Sequence, residues 1–229
     1  MKKLGDFWIP DGDTTINKGI KKFGATNLDP KIISKLILSA TKCFVDVGAN
    51  VGYWTKYFSE YFESGYSFEP DNINFACLEK NTSHINNVTI FKCALGERIG
   101  VGYMKDENPK NCGQKHLDPD SFSYDSVSKM VRIPARVDIK TLDSYEFECV
   151  NLLKIDTEGY ELGVLKGAEK TILRCKPIIV VEYTPNKYPQ TLRARKYGYP
   201  YEDIPSYLES LGLYQIYIGS ADLIYGWKI

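Results

Sequence analysis

The residues of this 229-residue chain best placed to do chemistry are two acids and a run of small residues between them. Phe44-Val45-Asp46-Val47 is a short apolar run with an acid near its end. Gly48-Ala49-Asn50-Val51-Gly52 follows, and an amphipathic pattern then begins at Tyr53. That order predicts a strand, a tight turn and a helix start, which brings bare backbone N–H groups against a small ligand. A second apolar run ends in Phe68-Glu69-Pro70, and a carboxylate at a strand end can accept from two ribose hydroxyls. The loop spacing Gly48-x-Asn50-x-Gly52 lacks the GxGxxG that cradles a pyrophosphate. Asp46 would repel a pyrophosphate and suits a ligand carrying an ammonium and a sulfonium. The bland alternatives make Gly48 and Gly52 plain turn glycines, Asp46 a turn cap and Glu69 a solvated helix-start acid.

Three further carboxylates, Asp156, Glu158 and Glu182, are expected at the C-terminal edge of the same sheet. Crowded carboxylates raise one another's pKa, which favours a general base, and their oxygens can equally hold Mg²⁺ or Ca²⁺. The structural alternatives are that Asp156 positions backbone or a ligand amine, Glu158 caps the helix starting near Gly159, and Glu182 pairs with an Arg or Lys. Of the two histidines, His84 ends a helix. His116 falls in a polar stretch where, if that stretch is a lid, it would be a base of suitable pKa. Two histidines without a Cys pair argue against an ordinary zinc site. Arg193-Ala194-Arg195-Lys196 with Tyr183, Tyr188, Tyr197, Tyr199 and Tyr201 reads either as a clasp for a nucleotide-sugar, glycan or RNA end, or as a solvated loop.

The elements that must carry these residues alternate. Cys43–Val47, Tyr66–Glu69, Val88–Ala94, Leu152–Ile155 and Ile178–Tyr183 read as strands. Asp29-Pro30 reads as a helix start with an Ile33, Leu36, Ile37 stripe. Trp54, Tyr57, Phe58, Tyr61 and Phe62 recur at helical spacing. Further helices carry Phe75 and Leu78 behind an Asp71 or Asn72 cap, then Leu162, Leu165, Ala168 and Ile172. A last helix carries Ile204, Tyr207, Leu208 and Leu211, capped by Asp203 and stopped at Gly212. Such alternation implies parallel strands joined by right-handed crossovers. Residues 107–124 read as a long polar loop, Met130–Val137 as an added strand pairing with Val101–Met104, and residues 185–201 as a second loop. Leu213–Ile218 and Leu223–Ile229 are too close for anything but an antiparallel hairpin.

The 29 basic and 29 acidic residues cancel, so no global charge steers the protein towards nucleic acid or anionic membrane. Six cysteines without CxxC spacing, several in apolar runs, read as reduced thiols. With no apolar leader and no apolar run of spanning length, the expectation is a cytoplasmic protein without a membrane span. One domain over 1–229 is expected: a 1–42 N-terminal cap, then a 43–229 core with insertions near 105–130 and 185–201.

Val45–Gly52, Phe68-Glu69-Pro70, Ala94-Leu95-Gly96, Thr141-Leu142-Asp143, Leu153–Glu161 with Leu165-Lys166-Gly167-Ala168, and Val181-Glu182 together resemble the FkbM-type methyltransferases. The Asp156-x-Glu158-Gly159-x-Glu161 segment is the most specific part of the likeness, and Pro10-Asp11-Gly12-Asp13 resembles a segment often preceding that core. The resemblance implies a Rossmann-like class I α/β fold. Its sheet is seven-stranded and mostly parallel, with an antiparallel C-terminal strand and helices on both faces. It implies S-adenosylmethionine as cofactor and O-methylation of a sugar, glycan or related small acceptor. Asp46, Gly48, Asn50 and Gly52 would lie along the methionine part and Glu69-Pro70 at the ribose. Ala94 and Leu95 would lie beside the adenine, with Asp156 facing the methyl group. The catalytic candidates are Asp156, Glu158, Glu182 and His116. The competing readings are a nucleic-acid acceptor and a non-catalytic cofactor-binding scaffold. The acceptor's identity and the oligomeric state are not legible in the sequence.

Overall fold

The computed structural model describes residues 1–15, 41–106, 110–118, 135–186 and 189–228. The helix expected from Asp29-Pro30 lies outside them, as do Tyr188 and the first part of the strand expected at Met130–Val137. In chain order the strands are β1 (Lys2–Leu4), β2 (Phe7–Ile9), β3 (Cys43–Val47), β4 (Ser64–Phe68), β5 (Val88–Phe91), β6 (Ala94–Leu95), β7 (Gly100–Asp106), β8 (Lys115–Asp118), β9 (Ala135–Lys140), β10 (Leu152–Ile155), β11 (Ile178–Glu182), β12 (Leu213–Ile218) and β13 (Asp222–Trp227). The described helices are α1 (Tyr53–Ser59), α2 (Asn72–Thr82), α3 (Glu161–Lys166), α4 (Glu169–Cys175), α5 (Gln190–Lys196) and α6 (Asp203–Ser210).

A seven-stranded sheet of order β12-β13-β11-β10-β3-β4-β5 forms the centre. β5, β4, β3, β10 and β11 are mutually parallel, as the strand–helix alternation requires. The expected hairpin is present, and its second strand runs antiparallel between β11 and β12. Alternate residues of the central strands feed two cores, as the two-residue period dictates. Val45, Val47, Leu153, Ile155, Ile179 and Val181 face Leu162, Leu165, Ile172, Ile204 and Leu208. Phe44, Leu152, Val180 and Ile224 face Trp54, Phe58 and Phe62, so the aromatic stripe read from the sequence is a packing stripe. Phe44 meets Phe58 and Phe62 at 5.4 Å between ring centroids.

Several boundaries differ from the sequence expectation, each for a local reason. The strand expected over Val88–Ala94 divides at Lys92-Cys93: β5 completes the large sheet, while β6 joins a second, four-stranded sheet of order β6-β9-β7-β8. The helix expected through Ala168 breaks at Gly167-Ala168 into α3 and α4. Asp71 caps α2 as expected, its Oδ1 accepting from the Ile73 and Asn74 N–H groups at 2.9 Å. Asp203 does not cap α6: Glu202 occupies that position without a side-chain bond, and Asp203 is the first helical residue. Within the stretch expected as loop, Cys112–Gln114 is a 3-10 turn and Lys115–Asp118 is β8, paired antiparallel with β7. β9 pairs with β7 as expected, from Ala135 opposite Met104. The second expected loop contains α5. All six cysteines are free thiols, and among the described residues no helix is long and apolar enough to cross a membrane.

Candidate functional site

The C-terminal ends of β3, β4 and β10, the β6 segment and the tip of β11 surround a cavity of about 370 Å³. That volume suits a small molecule. Its lining includes Gly48, Ala49, Asn50, Glu69, Pro70, Asn74, Ala94, Leu95, His116, Lys154, Asp156, Glu158 and Glu182. Residues far apart in the chain therefore converge as the topology predicts.

The turn after β3 is shaped by close backbone approach. Gly48 has φ +79°, and a Cβ there would sit 1.8 Å from the Asp156 carbonyl oxygen. No L side chain fits, so the loop can graze the β10 tip only with glycine at this position. Asn50 also lies at positive φ, 53°. The expectation of bare N–H groups is not met. The Gly48 and Ala49 N–H groups both donate to the Phe68 carbonyl at 3.0 Å, and Gly52 N–H donates to the Ala49 carbonyl at 2.8 Å. Asn50 N–H donates to Glu69 Oε2 at 2.8 Å. The loop thus offers a close, flat backbone surface rather than an anion nest. Gly52 is not among the lining residues; it is the N-cap of α1, and a Cβ there would meet Leu78 Cδ1 at 2.6 Å.

Glu69 is buried, and its Oε1 accepts from Asp71 N–H at 2.9 Å. Burial drives its pKa up to about 7, opposed by the Asp71 and Asn50 N–H groups. The unfolded chain holds this acid near its ordinary 4.5, so between those values the folded state binds the extra proton. The contribution of this group to stability is therefore fully present below pH 4.5 and is lost as pH rises through 7, on the order of 3 kcal/mol. The expected result is a urea midpoint difference, Glu69→Gln minus wild type, that grows in favour of the variant between pH 5 and pH 7.5. A constant difference would contradict it.

Asp46 stands apart from the lining residues. Its carboxylate is fully buried, with Thr55 Oγ1 donating to Oδ2 at 2.7 Å and Lys154 Nζ 3.8 Å from Oδ1. Asp46 thus meets the cavity wall through Lys154. Lys154 does line the cavity and also lies 3.4 Å from Asp156 Oδ2. Burial pulls the Lys154 ammonium pKa down, but Asp156, Asp46 and Asp222 more than restore it, leaving it above the ordinary lysine value.

The turn after Asp156 is clamped from below by Glu161, which accepts from Thr157 N–H at 2.7 Å, Thr157 Oγ1 at 3.0 Å and Gly159 N–H at 3.1 Å. Glu158, at φ +59°, is not a helix cap: Gln190 Nε2 donates to its Oε2 at 2.8 Å and Arg193 Nη2 at 3.2 Å. Arg193 Nε donates to the Glu158 carbonyl at 3.0 Å. The first arginine of the basic cluster is thus a buried brace on α5, while Arg195 pairs with Glu202 and Lys196 lies 3.8 Å from Asp118. Glu182 is buried, and the Tyr201 hydroxyl lies 3.4 Å from its Oε2. Oxygens of Asp156, Glu158 and Glu182 all lie within 4.8 Å of one another.

Segment 110–118 roofs the cavity. The buried Asp13 carboxylate accepts from Cys112 N–H at 2.8 Å and from Thr15 N–H at 3.0 Å, and Thr14 N–H donates to the Lys110 carbonyl at 3.0 Å. From the other side Asn74 Nδ2 donates to the Cys112 carbonyl at 3.1 Å, and Lys115 Nζ lies 2.7 Å from Asp71 Oδ1. His116 lines the cavity, but from a strand. Burial, then the nearby Arg193 charge, pull its pKa down to about 4. It is a neutral imidazole at physiological pH and a weak base, not one poised near neutrality.

The sequence profile of the methyltransferase FkbM domain matches residues 46–213, the span that holds every lining residue of this cavity but Thr15. The chain belongs to the FkbM methyltransferase family. Over 166 residues it is 26% identical to Methyltransferase 1 of Beauveria bassiana (strain ARSEF 2860), a match covering 62% of this chain and 65% of that protein. Among solved structures it resembles the methyltransferase FkbM of Methylobacillus flagellatus KT, with TM-score 0.52 and 19% identity over 81% of this chain and 43% of that one. It also resembles the magnesium protoporphyrin IX methyltransferase of Synechocystis PCC 6803 solved with bound S-adenosylmethionine. There the TM-score is 0.53 at 11% identity, over 96% of this chain and 87% of that one. These structural likenesses establish the Rossmann-like methyltransferase fold. This FkbM-family chain spans less than two thirds of the curated relative and less than half of the first of these structures.

Asn74, Gln190, the Lys154 link to Asp46 and Asp156, the Asp13 hold on Cys112 and the bracing role of Arg193 escaped the sequence reading. A lysine inside an apolar strand run was the one available signal, because a buried ammonium needs carboxylates beside it.

Proposed function

We propose that this protein is an S-adenosylmethionine-dependent methyltransferase that forms an O-methyl ether on a sugar or similar hydroxylated small acceptor. The carboxylates gathered beside the glycine turn carry this reading: a hydroxyl needs a proton acceptor to become a nucleophile, and Asp156, Glu158 and Glu182 supply candidates on the cavity wall. The residues present fit the cofactor. The Gly48 approach leaves a flat surface for a thin ligand, Glu69 retains acceptor capacity for ribose hydroxyls, and Ala94 with Leu95 forms an apolar wall for a purine. Asn50 and Pro70 complete that half of the cavity, and Asp46 acts on it through Lys154. When bound, S-adenosylmethionine supplies an electrophilic methyl group on a sulfonium.

Of the three acids, Asp156 is the one assigned the proton. Its side chain is 37% exposed, against 14% for Glu158. Glu158 is also occupied by Arg193 and Gln190, and Glu182 is buried. Glu158 and Glu182 orient the acceptor's remaining hydroxyls, and neutral His116 accepts or donates one hydrogen bond from the roof. The chemistry does not require a divalent ion, and none is assigned. The test is calorimetric titration with S-adenosylhomocysteine, followed by turnover against a panel of monosaccharides, glycans, nucleotide-sugars and short RNAs. Saturable nucleoside binding with methyl transfer to a hydroxylated carbohydrate supports the reading. Failure to bind S-adenosylhomocysteine at millimolar concentration, or transfer confined to RNA, overturns it.

A further inference from the structure

Asn74 carries an unfilled acceptor in the cavity wall. The residue is 2% exposed, and its Oδ1 has no hydrogen-bond partner among the described residues. Its orientation is set, because Nδ2 is committed to the Cys112 carbonyl at 3.1 Å. Buried polar atoms in folded proteins nearly always find partners, so an orphan on a residue that lines a cavity marks a place where a ligand or water supplies the donor. Neighbouring groups narrow the choice of donor. Cys112 Sγ lies 3.6 Å from Asn50 Oδ1, and Asn50 N–H is bonded to Glu69 Oε2. Asn74, Cys112, Asn50 and Glu69 therefore form one continuous stretch of the wall. Each Glu69 oxygen already accepts one backbone N–H, from Asn50 and Asp71, and still has a lone pair free for an O–H.

We propose that Asn74 Oδ1 accepts a hydrogen bond from one of the two vicinal ribose hydroxyls of the nucleoside cofactor while Glu69 takes the other. This rests on the proposed cofactor reading. A carboxylate alone can hold a diol. A second, neutral acceptor fixed by the roof makes the site read both hydroxyls separately, and it joins the nucleoside to the roof through the same amide. Two features make Asn the fitting residue: one donor to hold Cys112 and one acceptor for the ligand.

The test is calorimetric binding of S-adenosylhomocysteine and of its 2′-deoxy, 3′-deoxy and inosyl analogues to wild type, Asn74→Leu, Asn74→Asp and Glu69→Gln. Wild type is expected to lose about five- to tenfold in affinity for each deoxy analogue, the worth of one hydrogen bond. Asn74→Leu should bind S-adenosylhomocysteine about as weakly as wild type binds one deoxy analogue, and should no longer distinguish that analogue from the parent. Asn74→Asp, which keeps an acceptor but loses the donor to Cys112, should still distinguish them. Glu69→Gln should lose most of the discrimination at the other hydroxyl. Equal weakening of all ligands by Asn74→Leu would reduce the residue to a roof support and overturn the proposal. Loss of discrimination at the inosyl analogue alone would assign the acceptor to the base amine, and would overturn it too. No binding of any ligand to wild type would instead remove the cofactor reading itself.

Discussion

Asp156→Asn is expected to lower kcat by roughly a hundred- to ten-thousand-fold while leaving S-adenosylhomocysteine affinity within a few-fold. The amide keeps the side chain's size and can still face Lys154 through its oxygen, so the change removes proton-accepting capacity with little loss of packing. Glu158→Gln and Glu182→Gln should cost less, because those acids are already engaged with Arg193 and Gln190 or buried near Tyr201. Single-turnover methyl transfer under saturating cofactor separates this from a binding defect. An Asp156→Asn protein with near wild-type kcat would transfer the assignment to another group, and a proportional rise in KM alone would make Asp156 an acceptor-binding residue.

Lys154→Met is expected to destabilise the protein by about 3–5 kcal/mol, the usual cost of orphaning one member of a buried ion pair. The Asp46 carboxylate, fully buried, would keep only Thr55, through its Oγ1 and backbone N–H, among its close partners in the described residues. Thr55 Oγ1 is itself shared with Ser67 Oγ at 2.9 Å. The decisive comparison is the double variant Lys154→Met with Asp46→Asn. Once the charge at position 46 is gone, most of the lost stability should return, since the penalty lies in the uncompensated ion rather than in the lost attraction. Urea unfolding of wild type, both single variants and the double variant gives the coupling directly. Additive single effects would mean that Asp46 and Lys154 do not share their charges at 3.8 Å.

The parts of the molecule legible in the sequence were those specified by short-range pattern. Phe44–Val47 and Leu152–Ile155 announce buried parallel strands by being apolar at every position but one, Asp46 in the first and Lys154 in the second. Trp54, Phe58 and Phe62 announce the helix face that covers them. The glycines at 48 and 52 announce a turn, although only Gly48 meets the cavity. What stayed hidden depends on partners distant in the chain. Lys115–Asp118 looks like loop by composition and becomes a strand because β7 lies beside it. His116 is pulled indoors with it, which changes its chemistry from that of a surface imidazole. Asp46 is the penultimate residue of β3 rather than its last, and its partner is a lysine on a strand brought alongside only by the crossover topology. The 185–201 stretch was masked by Tyr and Pro at its borders, while Thr191–Lys196 consists largely of good helix formers and could have been read as α5.

β13 lies inside the large sheet, between β11 and β12, although it follows both in the chain. During synthesis, then, Ile178–Glu182 emerges with one side of its backbone unmatched, and it stays so until residues 222–227 have left the ribosome. This run of apolar residues is an open edge of the kind that recruits strands from other chains. The interval between the emergence of β11 and that of β13 is thus the one in which this edge is open to other chains.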